Sequence, residues 1–161
     1  MNLFEIKNLN MTFQDKQVLE DVNLAIKENS FTVISGPSGS GKSTLLKLLG
    51  QLISPSSGDI LYRQENIDTL EPTSYRKKVS YCFQSPVLFG ETVYDIIVFP
   101  YDIRELAFDE NHALSLLKKV GLDGFLHKKV NEMSGGEKQR VALVRNVLFM
   151  PEVLLLDEVT S

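Results

Sequence analysis

Apolar residues occur first in short stretches and later at helical spacing along this chain. Residues 3–34 alternate short β-like segments (4–6, 18–19 and 22–26) with polar turn-forming residues. The run at 31–34 is apolar and β-branched, which predicts a buried strand. The pattern therefore predicts a β-rich first part that ends in one buried strand.

Beyond residue 40 the spacing indicates helices separated by two further strands. One helix follows a glycine-rich loop, a mainly helical region covers 91–129, and another helix runs from Ser134 to about Phe149, where Met150 and Pro151 end it. The best helix of the middle region has one apolar face and a glycine cap, formed by Ala113, Leu116, Leu117, Val120 and Gly121. Strands are predicted at 79–83 and 153–156. Buried strands that alternate with helices predict an α/β fold with a mainly parallel sheet covered on both faces.

Composition narrows the class of protein. The chain has 161 residues with 17 basic and 21 acidic side chains, a formal net charge of −4, so it lacks the basic excess of nucleic-acid-binding proteins. No apolar run approaches the roughly 18 residues of a membrane span, and no secretory signal is visible, which predicts a soluble protein. The single cysteine, Cys82, lies in an apolar strand and is interpreted as a buried, unreactive thiol.

The glycine-rich loop carries the strongest chemical signal. It reads Gly36, Pro37, Ser38, Gly39, Ser40, Gly41, Lys42, Ser43 and fits the phosphate-binding P-loop pattern. Glycines let backbone N–H groups turn towards phosphate oxygens, Lys42 supplies a positive charge, and the Ser43 hydroxyl can ligate Mg²⁺. The alternative is a plain glycine turn between a strand and a helix.

Two carboxylates follow the strand at 153–156. A carboxylate at the end of a strand beside a P-loop can hold Mg²⁺, a role that fits Asp157, and Glu158 is then the candidate for polarising the attacking water. The alternative is a core strand followed by a solvated acidic pair.

A third cluster opens the last helix. Ser134 and Glu137 have the spacing of a capping box, and a well-capped helix is the simpler interpretation. Gly135 and Gly136 lower helix stability, however, and leave N–H groups bare at the positive helix end, which favours an anion site.

These three clusters, in their order along the chain (36–43, 134–140 and 157–158), resemble the nucleotide-binding domain of ABC transporters over the whole chain. Met133 replaces the usual leucine of the family signature. The resemblance implies a RecA-like P-loop NTPase core with an N-terminal antiparallel β subdomain and a helical insert. It places β subdomain and core at 1–90 and 134–161 and the helical subdomain at 91–133, in a single domain whose last strands and helices are missing. Residues 52–55, 79–82, 88–95 and 149–151 are most similar to ATP-binding subunits of bacterial iron exporters.

The resemblance also implies roles for further residues. Gln84 matches a glutamine that touches Mg²⁺ and water, and it is counted with Glu158 as catalytic. Thr44 belongs to the ATP-binding set. Phe13 lies where the family stacks an aromatic ring on adenine, although a core strand residue is an equal alternative. ATP and Mg²⁺ are the implied ligands.

Two partners are implied: a membrane transporter subunit, docked through residues 84–89 and the helical subdomain, and a second copy arranged head to tail. The protein would then lie in the cytoplasm on the inner face of the membrane. The family's aspartate of the D-loop and its switch histidine are expected beyond Ser161, since His112 and His127 both precede the signature. An ATP-binding module without turnover, an ABC ATPase acting on DNA or the ribosome, and a P-loop kinase are the alternatives. The 50-residue separation of Gln84 and Ser134 argues against the DNA-repair members, which insert a coiled coil there, and a kinase leaves 134–140 unexplained.

Overall fold

Residues 1–158 are described by a computed structural model of the chain. The chain divides between Val79 and Ser80 into two compact units. Val159, Thr160 and Ser161 lie outside the described residues. The subdomain boundaries at 91–133 stay a prediction.

The first unit contains a four-stranded antiparallel sheet in the order β2-β1-β3-β4. Its strands are β1 (Asn2–Phe13), β2 (Lys16–Lys27), β3 (Ser57–Tyr62) and β4 (Glu65–Asn66). The antiparallel N-terminal sheet predicted for the family is thus confirmed. The short segments predicted at its start belong to two strands of 12 residues each.

Irregular pairing explains why those two strands look shorter in the sequence. The register of β1 against β2 shifts between Ile6 and Leu9, and Asn8 and Asp21 both have positive φ angles, 48° and 42°. The Asn8 side-chain amide donates to Asp21 Oδ1 at 2.8 Å across this irregularity. A bulge changes which face the next side chain occupies, so it interrupts the alternation by which a strand is recognised.

Gly58 shows why β3 needs a glycine near its start. Its φ is +91°, and a Cβ there would lie 2.3 Å from the carbonyl oxygen of Asn8. Neither the close approach of β1 nor the left-handed conformation accommodates a side chain. β3 was not predicted from the sequence.

Two helices and one 3-10 turn complete the first unit: α1 (Lys42–Leu49), α2 (Pro72–Lys78) and the turn Ile67–Thr69. The sequence has Leu45, Leu48, Leu49 and Leu52 at helical spacing after the glycine loop, which predicts one apolar helix face. Helix α1 buries the first three of them but ends at Leu49, with Gly50 as its C-cap. Leu52 therefore lies beyond the helix. Gln51 takes a φ of 53°, and the N–H groups of Gln51 and Leu52 donate to the carbonyls of Leu48 (3.0 Å) and Lys47 (2.9 Å), which closes the helix end.

Glu71 caps α2. Its carboxylate accepts hydrogen bonds from the backbone N–H groups of Thr73 (2.9 Å) and Ser74 (2.6 Å). These bonds, that from Thr73 first, lower the pKa of Glu71 from 4.5 to about 2. A carboxyl with a lowered pKa in the folded state adds stability above its unfolded pKa and loses it as pH falls through the folded value.

We therefore expect Glu71→Ala to lower the melting temperature at pH 7, and we expect the difference from the wild type to shrink as pH falls from about 4.5 towards 2. Melting curves by circular dichroism across this range measure it, with Glu20→Ala on the exposed part of β2 as the control. A difference that stays constant down to pH 2 would exclude a capping role for the ionised carboxylate.

The prediction of a buried strand at 31–34 is wrong. Phe31 is 89% exposed and Val33 is 73% exposed, and the segment belongs to neither described sheet. Apolar, β-branched composition favours a strand, but only a hydrogen-bonded neighbour and a covering layer bury one. The mainly parallel sheet predicted from three such strands is accordingly not seen in the described residues.

In the second unit, strands β5 (Val79–Cys82) and β6 (Val153–Leu156) pair with each other. Both were predicted, but β6 is only partly buried, since Leu156 is 43% exposed. The helices are α3 (Val93–Asp102), α4 (Glu110–Lys119) and α5 (Gly135–Val147), and they surround one apolar cluster. The predicted helix from Ser134 is confirmed as α5, and Gly121 follows α4 with a φ of +73°, as a cap requires.

No helix within residues 1–158 has both the length and the apolar character needed to cross a bilayer.

Candidate functional site

The glycine-rich loop of the first unit has the backbone of a phosphate cradle. Gly39 and Gly41 have φ angles of +80° and +88°, which side chains rarely tolerate. At Gly36 a Cβ would come within 2.8 Å of Ser40 Oγ, so a side chain there would require the Ser40 hydroxyl to rotate away. The Ser40 N–H donates to the Pro37 carbonyl at 3.2 Å and completes the turn.

Helix α1 begins directly after this loop. Its N-cap, Gly41, provides no side-chain acceptor for the first N–H groups. Lys42, the first helical residue, folds its ammonium group back onto the loop and donates to the carbonyls of Gly36 and Pro37, both at 2.9 Å. A helix N-terminus without a side-chain cap and an ammonium group together favour an anion of the phosphate type.

Phe13 ends β1 and is 46% exposed. This excludes the alternative of a core strand residue. Adenine stacking by Phe13 stays a prediction.

The two carboxylates after β6 have different environments in the second unit. Asp157 is only 6% exposed, and its Oδ2 accepts a hydrogen bond of 2.7 Å from the hydroxyl of Tyr81 on β5. Its backbone N–H donates to the Cys82 carbonyl at 3.2 Å. Glu158 is exposed and has a φ of 47°.

Gln84 and Glu158 are brought together. The side-chain amide of Gln84 donates to Glu158 Oε2 at 2.6 Å. The backbone carbonyl of Gln84 accepts a hydrogen bond of 3.2 Å from the side-chain amide of Gln139 on α5. The two residues assigned to catalysis from the sequence are therefore hydrogen-bonded neighbours, and Gln139 ties them to the helix that carries the glycine pair.

The capping box at the start of α5 is confirmed. The Ser134 hydroxyl accepts from the Glu137 N–H at 3.2 Å, and Glu137 Oε2 accepts from the Ser134 N–H at 2.8 Å. This backbone bond, together with Lys128 at 3.2 Å, lowers the pKa of Glu137. The box accounts for Ser134 and Glu137 but not for the two glycines between them.

Gly135 and Gly136 have no structural reason to be glycine. A Cβ at either position would meet no atom within 4 Å, and neither φ lies in the left-handed region. Alanine would fit and would favour the helix. The open space beside the two glycines is therefore better explained by a bound molecule that contacts this helix end than by packing within the chain.

Side chains of α5 also hold the segment that contains Gln84. Arg145 donates to the Val87 carbonyl at 3.1 Å, and Asn146 donates to Tyr81 O at 3.4 Å and to Cys82 Sγ at 2.8 Å. Cys82 is 3% exposed, which confirms that it is buried, and burial raises the pKa of its thiol.

Comparison with known proteins identifies the family. Residues 19–161 match the family model described as ABC transporter. The chain belongs to the ABC transporter family. It is 48% identical over 160 residues to the probable iron export ATP-binding protein FetA of Escherichia coli strain K12, covering 99% of this chain and 71% of that protein.

Other similar proteins include one that is named for import of a different substrate and a solved ATP-binding cassette. The spermidine/putrescine import ATP-binding protein PotA of Mycoplasma capricolum is 37% identical over 160 residues, which are 98% of this chain and 45% of that protein. A dimeric post-hydrolysis structure of the ATP-binding cassette MJ0796, bound to ADP and Pi, superposes with a TM-score of 0.86 at 32% identity, over 98% of this chain and 74% of that one.

Membership of the ABC family confirms the P-loop NTPase fold class and ATP as the ligand class. Among residues 1–158, no three His, Cys, Asp or Glu side chains cluster to hold a metal by themselves. The predicted Mg²⁺ ligands are instead a hydroxyl, an amide and a carboxylate, Ser43, Gln84 and Asp157. Such sparse oxygen ligands suit Mg²⁺, which takes its remaining ligands from substrate phosphates and water.

Tyr81 and Gln139 are functional candidates that the sequence interpretation missed. A signal for Tyr81 existed: it is a hydrogen-bonding side chain inside a strand that was predicted to be buried. Gln139 lies in a polar stretch of α5 that offers no such signal.

Proposed function

We propose that this chain binds Mg·ATP and hydrolyses it as the ATP-binding subunit of an ABC transporter, driving transport by a membrane partner. The observation that carries the proposal is the glycine loop with Lys42 folded onto it. A glycine turn without this role would not need an ammonium group held at 2.9 Å from two of its own carbonyls.

Each predicted site residue has a task in this proposal. The loop N–H groups of 36–43 and Lys42 bind phosphate oxygens, with Thr44 in the next position of α1, and Phe13 stacks on adenine. Ser43, Gln84 and Asp157 hold Mg²⁺, which neutralises phosphate charge when bound. Glu158 polarises water, and its hydrogen bond to Gln84 fixes the orientation of its carboxylate.

The glycine pair of α5 contacts ATP bound to a second copy of the chain. Ser134, Gly135 and Gly136 present helix N–H groups in space that no atom of this chain fills, and Glu137 holds the turn in place. ATP then bridges two copies, and hydrolysis removes the bridge. The relative solved as a dimer with ADP and Pi supports this arrangement.

Gly135→Ala tests the role of the glycines. Because nothing within 4 Å occupies the Cβ position, we expect an unchanged or slightly higher melting temperature. ATP-dependent pairing should nevertheless weaken about tenfold, since the methyl group costs one hydrogen bond to phosphate, about 1.4 kcal/mol. Sedimentation with ATP, in a Glu158→Gln background that preserves the nucleotide, measures pairing.

Asn111→Ala, in the first turn of α4, is the matched control and should leave pairing unchanged. Equal pairing of the Gly135→Ala variant and the wild type would contradict the proposed contact.

Three exposed apolar side chains support docking of a membrane subunit at residues 84–89 and the helical subdomain. Phe83, Val87 and Phe89 are 48%, 65% and 63% exposed. Arg145 holds the backbone of Val87, so the segment presents these side chains on a supported loop. The subunit would thereby lie on the cytoplasmic face of the membrane.

Iron export is the transport function we propose, on the 48% identity to a probable iron export protein. Proteoliposomes that contain the membrane partner and this subunit test it: ATP-driven movement of Fe²⁺ supports the proposal, and movement of spermidine alone overturns it.

The second candidate is an ATP-binding module without turnover. Both histidines of the chain are engaged elsewhere, His112 with the Leu148 carbonyl at 3.0 Å and His127 stacked on Tyr94, so neither serves as the family's switch histidine. Mg·ATP turnover by the purified chain separates the two: phosphate release supports the enzyme, and ATP binding without release supports the module.

A further inference from the structure

We propose that Tyr81 is a positioning residue for metal binding: its hydroxyl fixes the Asp157 carboxylate in the orientation that the Mg²⁺ of Mg·ATP requires. The inference rests on the proposed function, in which Asp157 holds that ion.

The hydrogen bond between Tyr81 and Asp157 is buried. Asp157 is the single buried charged residue in the part of the chain that the structure describes, at 6% exposure, and Tyr81 is 8% exposed. A buried carboxylate needs hydrogen-bond donors, and a donor at 2.7 Å restrains its plane as well as its charge. The contact therefore sets the direction in which Asp157 offers its oxygens.

Tyr81 is held in place by several contacts. Its ring packs against Phe83 in an edge-on contact, with centroids 4.7 Å apart. The backbone carbonyl of Tyr81 accepts a hydrogen bond from the Asn146 side chain, and the neighbouring Cys82 carbonyl accepts one from the Asp157 N–H at 3.2 Å. Backbone and side-chain hydrogen bonds thus fix Tyr81 on β5 and Asp157 directly after β6.

A purely structural role of the Tyr81 hydroxyl predicts a different result. If the hydroxyl only offsets the cost of burying Asp157, its removal would lower the stability of the fold and leave metal binding unchanged. Partners that orient a metal ligand typically change metal affinity by about 10- to 100-fold when removed.

The experiment compares nucleotide binding with and without metal. Binding of a fluorescent N-methylanthraniloyl-ATP is titrated in Mg²⁺ and in EDTA. The dissociation constant in EDTA divided by the dissociation constant in Mg²⁺ is the ratio that reports how strongly Mg²⁺ supports binding. Tyr81→Phe keeps the ring and its contact with Phe83. We expect the ratio to fall about tenfold with the dissociation constant in EDTA unchanged.

Two further variants make the result decisive, all measured below their melting transitions. Tyr75→Phe removes another buried tyrosine hydroxyl, bonded to the Leu49 carbonyl, and should leave the ratio unchanged. Asp157→Asn should lower the ratio at least as much as Tyr81→Phe. If Asp157→Asn lowers it and Tyr81→Phe leaves or raises it, the inference alone is overturned; if Asp157→Asn has no effect, the proposed metal role of Asp157 fails and the inference with it.

Discussion

Replacing Lys42 by alanine is expected to weaken ATP binding by about a hundredfold without unfolding the protein. The ammonium group would make two charge-assisted hydrogen bonds to phosphate, each contributing about 1.5 kcal/mol, and every 1.4 kcal/mol is about a factor of ten in affinity. Its bonds to the carbonyls of Gly36 and Pro37 are partly exposed, so water replaces them at small cost.

Isothermal titration with Mg·ATP measures this change, and circular dichroism checks the fold. Lys47→Ala, in the last turn of the same helix, is the matched control, because it removes an equal charge away from the loop. Equal affinity of the Lys42 and Lys47 variants would show that the loop is a structural turn, and the proposed function would fail.

Glu158→Gln is expected to lower ATP turnover by at least about a hundredfold while ATP binding changes less than about twofold. A general base contributes about 10²- to 10⁴-fold to a rate, and the amide has no basic oxygen of comparable strength. The substitution preserves the local geometry, since the new amide oxygen can accept the same bond of 2.6 Å from Gln84. The change therefore removes charge and basicity rather than position.

Phosphate release over time, with saturating Mg·ATP, is the measurement. Glu152→Gln, an exposed position just before β6, controls for the loss of one negative charge. Retained turnover in the Glu158 variant would assign water polarisation to another group. If the wild type also releases no phosphate but binds ATP, the module without turnover is the better description.

Residues whose environment is local were predictable from sequence. The capping box of Ser134 and Glu137 and the cap at Gly121 depend on residues a few positions away, so spacing alone specifies them. The same holds for the glycine loop, whose conformation follows from its own residue types.

Residues whose environment is assembled by pairing were not predictable. The exposure of 31–34 and the bulge at Asn8 and Asp21 depend on which strands find hydrogen-bonded neighbours. The pattern of apolar side chains does not predict which strands pair, because β propensity reflects burial against partners rather than the backbone alone.

By itself, the sequence determined the family, the order of the phosphate loop, glycine pair and carboxylates, and the helices and strands on which most of them lie. Only the tertiary structure decided that Gln84 meets Glu158, 74 positions away, and that Tyr81 meets Asp157, 76 positions away. The physical reason is the range of the interactions: turns, caps and glycine loops are governed by the nearest residues, whereas a hydrogen bond between distant side chains exists only after strand pairing has brought them together.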